Sequence, residues 1–242
     1  MAEWFASVKA EFELNFIKAD RWEYLVTGLG NTLLLTLVAL IVGVIIGVVV
    51  AAVRSTYDKT AETARPTFGR RVFGFFNGLC KVYLTVVRGT PVVVQVMIFF
   101  YVIFATAKDG TMVAALAFGI NSGAYVAEII RGGIMSIDNG QFEAGRSLGF
   151  NYLQTMRYII VPQTIKNVLP SLMNEFIALL KETSVAGYVA VQDLTKAGDI
   201  IRSRTYSAFM PLIAVALIYL IVVMFFTWLV GKLERRLRAS DH

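Results

Sequence analysis

Arg88, Glu128, Arg131, Lys181 and Glu182 stand in, or at the ends of, long apolar segments. Ionisable side chains cost a few kcal/mol each to place within a bilayer and mark functional sites by default. Arg88 is followed by Gly89, Thr90 and Pro91, which interrupt a helix and leave backbone groups to be satisfied by protein or a lined cavity. Breaks of this kind are where transporters bind charged groups. Glu128 and Arg131 are three apart and share a helix face, where they either neutralise one another or meet a substrate. Lys181 and Glu182 are adjacent, so they seek different partners. Gln95, Asn121, Tyr125, Asn174, Thr183 and Ser184 add neutral hydrogen-bonding groups. The expected substrate pathway therefore comprises Arg88, Thr90, Pro91, Gln95, Asn121, Tyr125, Glu128, Lys181, Glu182, Thr183 and Ser184.

Other chemistry is excluded by composition. The sequence holds one cysteine, Cys80, and one histidine, His242, so neither an intrachain disulfide nor a His or Cys metal site can be assembled within it. No serine nucleophile elbow or zinc motif is present, and no catalytic residue is expected. There is no phosphate-binding loop: the Gly231-Lys232 pair precedes Leu233 and lacks an upstream glycine at the required spacing.

The elements that must position these residues are membrane helices. Of 242 residues, 57% are hydrophobic and 17% charged, against roughly 45–50% and about 25% in an average soluble domain. Residues 24–53, 89–107, 110–127 and 205–231 carry no Asp, Glu, Lys or Arg. A helix needs about 20 apolar residues to cross the hydrocarbon core. Spans are expected at about 27–53, 72–106 (interrupted by Gly89 and Pro91), 112–130 and 208–231. The segment 168–191 is apolar but carries Glu175, Lys181 and Glu182, so hydropathy leaves it ambiguous.

Charge asymmetry decides the count. Residues 54–81, 131–166 and 232–242 carry six, four and four Lys or Arg, whereas 1–26, 107–110 and 192–204 carry three, one and three. Cytoplasmic loops are enriched in these residues, so the first set belongs inside. That requires five transmembrane helices, with the N-terminus outside and the C-terminus cytoplasmic. The net charge of +6 is read as these orientation signals, and no nucleic-acid partner is expected. Residues 1–26 are not read as a signal peptide, because Glu3, Glu11 and Glu13 interrupt any apolar core. Trp4, Phe5, Val8, Phe12 and Phe16 recur near helical spacing and predict a short interfacial helix that acts as an anchor. The organisation is thus an N-terminal interfacial helix (1–26), a transmembrane domain (27–231) and a basic cytoplasmic tail (232–242).

Two spans carry ridges of small residues at every fourth position, Ala39-Gly43-Gly47-Ala51 and Ala115-Gly119-Gly123-Ala127. Such ridges let backbones approach closely, within one subunit or between two. The segment 131–170 is long for a loop between spans. Gly132 and Gly133 can end the third span, and Phe142 to Leu148 suits a short helix closed by Gly149. A second amphipathic stretch runs from Leu153 to Val161, with Pro162 behind it and Pro170 opening the next span. Helix, glycine turn and helix make either a docking element or a cytoplasmic surface loop.

Here a resemblance becomes specific. Glu143-Ala144-Gly145, Gly149 and Ile160-Val161-Pro162 resemble the EAA motif of ABC-importer permease subunits. Arg88-Gly89-Thr90-Pro91 with Gln95, Ser122-Gly123-Ala124-Tyr125 to Glu128 with Arg131-Gly132-Gly133-Ile134, and Leu180-Lys181-Glu182-Thr183-Ser184 are similar to the polar amino-acid permeases of that group. The likeness runs from about 27 to 235. Gly145 stands where alanine is usual, and Val161 where leucine is usual. The resemblance implies an all-α membrane protein with the ABC importer permease-like fold and a cytoplasmic coupling helix, in the cytoplasmic membrane. It also implies that the coupling helix seats on a dimer of separate ATPase subunits, with Glu143 making the polar contact, Ala144 and Gly145 permitting close approach, Gly149 the turn, and Pro162 completing the motif. ATP and Mg would be bound by that ATPase, with no cofactor on this chain. Further partners implied are a second permease, identical or homologous, and an extracytoplasmic amino-acid-binding protein. An ATP-independent secondary transporter or channel is the competing reading; five spans without an evident inverted repeat argue against it. An intramembrane enzyme is the third.

Overall fold

The structure, a computed structural model, describes residues 1–60 and 67–239. Arg65 and the last three residues of the basic tail, His242 among them, lie outside the described residues. The described residues form helices α1 to α10 and no strand. In order these are α1 (Ala2–Phe12), α2 (Trp22–Lys59), α3 (Phe68–Gly89), α4 (Val92–Ile98), α5 (Gly110–Met135), α6 (Asn139–Ser147), α7 (Tyr152–Thr155), α8 (Val161–Glu182), α9 (Leu194–Thr205) and α10 (Phe209–Ala239). Wider π turns follow α1, α4 and α7, and a 3₁₀ segment follows α8. By length and composition α2, α5 and α10 can each cross a membrane, and α3 with α4 and its π turn make a fourth candidate, bent by 109°. The bend falls at Gly89-Thr90-Pro91. Thr90 is extended, as the residue before proline must be to avoid its ring.

The chain partitions into two compact units. The first comprises residues 1–38, 92–118 and 177–228. Its core gathers Phe16, Leu25, Leu194, Ala197, Ile201 and Val215. The segment after α1 is tied down by Asn15, fully buried, whose amide donates to the Glu11 carbonyl at 2.8 Å and whose oxygen accepts from the Thr205 hydroxyl at 2.8 Å. Thr32 accepts from the Leu194 amide at 3.0 Å, and Asn31 donates to the Gln192 carbonyl at 2.8 Å, fixing α2 against the start of α9. Asp193 caps α9 by accepting from the amides of Thr195 and Lys196. Burial pushes its carboxyl above the ordinary range, against the pull of those donors. Asp199 is held below it by Arg202 and Lys196. The face of α10 exposing Leu217, Leu220, Ile221, Met224, Phe225 and Trp228 is suited to lipid.

The second unit comprises residues 39–91, 119–176 and 229–242. Here the two ridges of small residues meet each other. A methyl group on Gly47 would lie 2.4 Å from Val126, one on Gly119 2.6 Å from Val42, and one on Gly43 3.2 Å from Ser122 and the Gly123 amide. The close approach is therefore internal to the subunit. Val50, Leu84, Ala124 and Ala127 complete this core.

Two expectations need correction. Gly132 and Gly133 do not end a helix: α5 runs through both to Met135. Gly133 is small because Val168 occupies the space where its side chain would be, 2.1 Å from an added methyl. Nor do the prolines mark boundaries. The helix beginning at Tyr152 continues through a π turn (Met156–Ile160) into α8, with Pro162 in the first turn of α8 and Pro170 inside it. The widened turn just before Pro162 lies where a regular ladder would meet the proline ring.

Candidate coupling segment and charged cluster

α6 is capped by Asp138, whose carboxylate accepts from the Gly140 amide at 2.6 Å. Glu143 and Ala144 are exposed, whereas Gly145 is buried. A methyl on Gly145 would stand 2.6 Å from both Cγ2 and Oγ1 of Thr155. The helix closes by bonds from the Leu148 amide to the Ala144 carbonyl, the Gly149 amide to Arg146 and the Phe150 amide to Gly145. Gly149 has φ +79°, a left-handed conformation that glycine adopts freely. The chain then re-enters a helix at a reciprocal capping box, in which Asn151 accepts from the Gln154 amide and Gln154 from the Asn151 amide, both at 2.9 Å. The Asn-x-x-Gln spacing of that box was readable in the sequence.

The inner side of α6 is fastened to the end of α2. Lys59 donates to the Asn139 side chain at 2.8 Å and stands 4.7 Å from the centre of the Phe142 ring. The Tyr152 hydroxyl donates to Thr56 at 3.4 Å. Phe142 also packs on Ile134, Ile137 and Ile160. Between these elements lies an open cavity of about 550 Å³, with Asp58, Lys59, Phe142, Glu143 and Tyr152 on its walls. α6 is thus joined to α2 through Lys59 and packed on α7 through Thr155.

The sequence-predicted pathway residues fall into two groups. Arg88, Tyr125 and Glu128 come together in the second unit. The Arg88 guanidinium is 3.9 Å from Glu128 and 5.6 Å from the centre of the Tyr125 ring, and its side chain is 45% exposed, so it remains open to a ligand. Thr90 and Pro91 follow on the bend, Thr90 donating to the Val86 carbonyl at 2.9 Å. Asn121 is buried in α5. Gln95, Lys181, Glu182, Thr183 and Ser184 belong to the first unit. Thr183 is fully buried there and donates to the Leu180 carbonyl at 2.8 Å, whereas Lys181 is exposed and Glu182 half-buried. Glu175, which made the fourth span ambiguous, accepts from Ser122 at 2.8 Å.

The pairing of Glu128 with Arg131 follows their three-residue spacing, whereas sequence reasoning missed Asp58 and Arg54 in the charged cluster. Arg131 donates to both oxygens of Glu128, at 3.3 and 3.2 Å, and lies 3.7 Å from Asp58. Asp58 in turn lies 3.8 Å from Arg54, which donates to the Asn77 side chain at 2.9 Å. The four-residue spacing of Arg54 and Asp58 was the available signal; nothing local joined it to Arg131.

Comparison with known proteins places this arrangement. Residues 43–239 match the family described as "Binding-protein-dependent transport system inner membrane component". The chain is 37% identical over 184 residues to the putative glutamine transport system permease protein GlnP of Rickettsia bellii (strain RML369-C), covering 70% of this chain and 84% of that one. It is 35% identical over 185 residues to the arginine transport system permease protein ArtQ of Bacillus subtilis (strain 168), covering 70% and 84%. Among solved structures, one described as an amino acid ABC transporter with histidines superposes with a TM-score of 0.76 at 38% identity, over 88% of this chain and 94% of that one. The inward-facing MetNI methionine ABC transporter superposes with a TM-score of 0.75 at 18% identity, over 90% and 98%, a likeness of fold. The chain with the exposed Glu143-Ala144 helix and the Arg88 break therefore belongs to the inner membrane components of binding-protein-dependent transport systems, the permease subunits of ABC transporters.

Proposed function

We propose that this chain carries polar amino acids inward across the cytoplasmic membrane, driven by ATP hydrolysis in a separate ATPase dimer against which α6 is seated. The observation that carries the reading is the two-sided construction of α6. Its outer face presents Glu143 and Ala144, while its inner face is fixed to α2 and α7. A partner that closes on the outer face displaces the helix as a body, because Gly145 against Thr155 leaves no slack between α6 and the helix that follows. ATP and Mg belong to that partner, since no phosphate-binding loop occurs here.

The cargo class rests on the glutamine and arginine permeases among the relatives and on the pairing of Arg88 with Glu128. A guanidinium suits the cargo's carboxylate, with Asn121 and Tyr125 of the same unit offering neutral contacts. A second permease chain and an extracytoplasmic binding protein complete the pathway. The chain crosses the membrane five times, N-terminus outside and C-terminus inside, with α8 as the fourth span. Glu175, Lys181 and Glu182 make α8 too polar to face lipid on all sides.

The test is uptake of labelled glutamine, arginine and histidine into proteoliposomes holding this chain with its ATPase and binding protein, beside a Glu143→Lys variant. ATP-dependent uptake of at least one of them, collapsing in the variant while the membrane domain stays folded, is the expected result. Uptake driven by an ion gradient without ATP overturns the proposal in favour of a secondary transporter.

A further inference from the structure

We propose that Asp58 and Arg131 are positioning residues that report the occupancy of Arg88 to the coupling helix, with Arg54 as the resting place for Asp58 in the second state. The inference rests on the reading that Arg88 meets the cargo's carboxylate. It starts from an imbalance: among the described residues the ion pairs of Arg54, Arg88 and Arg131 run to Glu128 and Asp58, three cations to two anions. The carboxylate of an arriving amino acid supplies a third anionic group at the cluster.

The loosest contact is where it would arrive. Arg88 is 3.9 Å from Glu128 and the most exposed member, whereas Glu128 and Arg131 are joined by two hydrogen bonds. A cargo carboxylate on Arg88 draws it from Glu128, whose charge then falls wholly on Arg131. Arg131 is shared between Glu128 and Asp58, so a firmer hold by the first loosens the second, already at 3.7 Å.

Asp58 has somewhere to go. The Arg54 Nε is buried and finds no hydrogen-bond partner among the described residues, although its terminal nitrogen is 3.8 Å from Asp58 and held by Asn77. A buried unsatisfied donor costs roughly 1–3 kcal/mol, and a carboxylate turning onto Arg54 as a two-pronged pair removes that cost. Asp58 thus has two discrete partners, which is what a switch requires. It is followed directly by Lys59, the residue that holds Asn139 and Phe142 of α6. Occupancy at the helix break and the set of the coupling helix are thereby joined through four side chains.

The experiment uses the complete importer in nanodiscs and compares ATP hydrolysis with and without binding protein loaded with glutamine, arginine or histidine, whichever the wild type transports. Asp58→Asn and Arg54→Lys, which keeps the charge but loses Nε together with the fork that could hold Asp58 by two prongs, are each expected to lower the stimulation by roughly tenfold while basal hydrolysis stays at the wild-type rate. Asp58→Glu, keeping the carboxylate, is expected to restore most of the stimulation. Stimulation equal to wild type in both Asp58→Asn and Arg54→Lys overturns the inference. So does a parallel fall of basal and stimulated rates in both, which marks a structural role. Should Asp58→Asn fail to assemble, Arg54→Lys and Asp58→Glu decide alone. A wild type that shows no ATP-driven uptake condemns the functional reading instead, so the two failures are told apart.

Discussion

At the scale of single residues, Gly145 is explained by Thr155. Alanine is usual at this position in the motif that the chain resembles, yet here a methyl would meet two side-chain atoms at 2.6 Å. Thr155 is itself buried and donates to the Asn151 carbonyl at 3.1 Å, so it cannot rotate away without losing that bond. Gly145→Ala is expected to destabilise the protein by about 1–3 kcal/mol through overpacking. Thr155→Ala removes both offending atoms and leaves only the Cβ at 3.1 Å. In a double-mutant cycle the pair should therefore cost less than the sum of its parts, by roughly 0.5–3 kcal/mol. Denaturation of the purified chain would read this out, and strict additivity would contradict the packing argument. Gly149 differs: an added methyl would meet nothing within 4 Å, and its positive φ alone disfavours a side chain. Gly149→Ala is expected to cost about 1–2 kcal/mol whatever stands at 155.

At the scale of elements, the same residue type does opposite things in one helix. A methyl on Gly47 of α2 would meet Val126 and the Ala127 backbone, whereas one on Gly30 would meet nothing within 4 Å. Gly47→Ala is expected to force α2 and α5 apart and lower the melting temperature of the solubilised protein, at a cost of about 1–3 kcal/mol. Gly30→Ala should leave it unchanged or raise it, since alanine is favoured over glycine in a helix by roughly 1 kcal/mol. The four-residue ridges were legible because a repeat at helical spacing is local information. Which ridge met which was not, because that depends on tertiary pairing. Gly133 shows the limit: adjacent glycines near the end of a span read as a terminator, yet Val168, 35 residues later, is the reason for one of them. Pro170 misled in the same way, since a proline within a helix held by its neighbours looks, in sequence, like one that opens it. The EAA-like helix, its glycine turn and the break at Gly89-Thr90-Pro91 were readable because each is written in consecutive residues. The ion cluster was half readable: Glu128 and Arg131 lie one turn apart, but Asp58 comes from another helix.

For the molecule as a whole, the open question is how often the chain crosses the bilayer. Among the described residues three helices, or four with the bent pair, are apolar enough by themselves, and α8 is the element on which the answer turns. Its first half carries Lys166, its second half Glu175, Lys181 and Glu182, and a helix of this polarity crosses only when its polar side faces protein or water. The argument from charge is independent of hydropathy: if α8 did not cross, the tail residues Lys232, Arg235 and Arg236 would sit outside, against the bias that orients membrane proteins. The single cysteine makes this directly measurable. In a Cys80→Ala background, one new cysteine is placed in turn at Gln141, Ser203 and Glu234 and treated in intact cells with a membrane-impermeant thiol reagent. Five crossings predict labelling of Ser203→Cys alone, with Gln141→Cys and Glu234→Cys reacting only after the membrane is opened. Labelling of Glu234→Cys from outside would remove α8 from the spans. The proposed seat of α6 does not depend on that outcome, since Gln141 precedes α8, so protection there with exposure at 234 would keep α6 on the inner side and require only the chain from α8 onward to be redrawn.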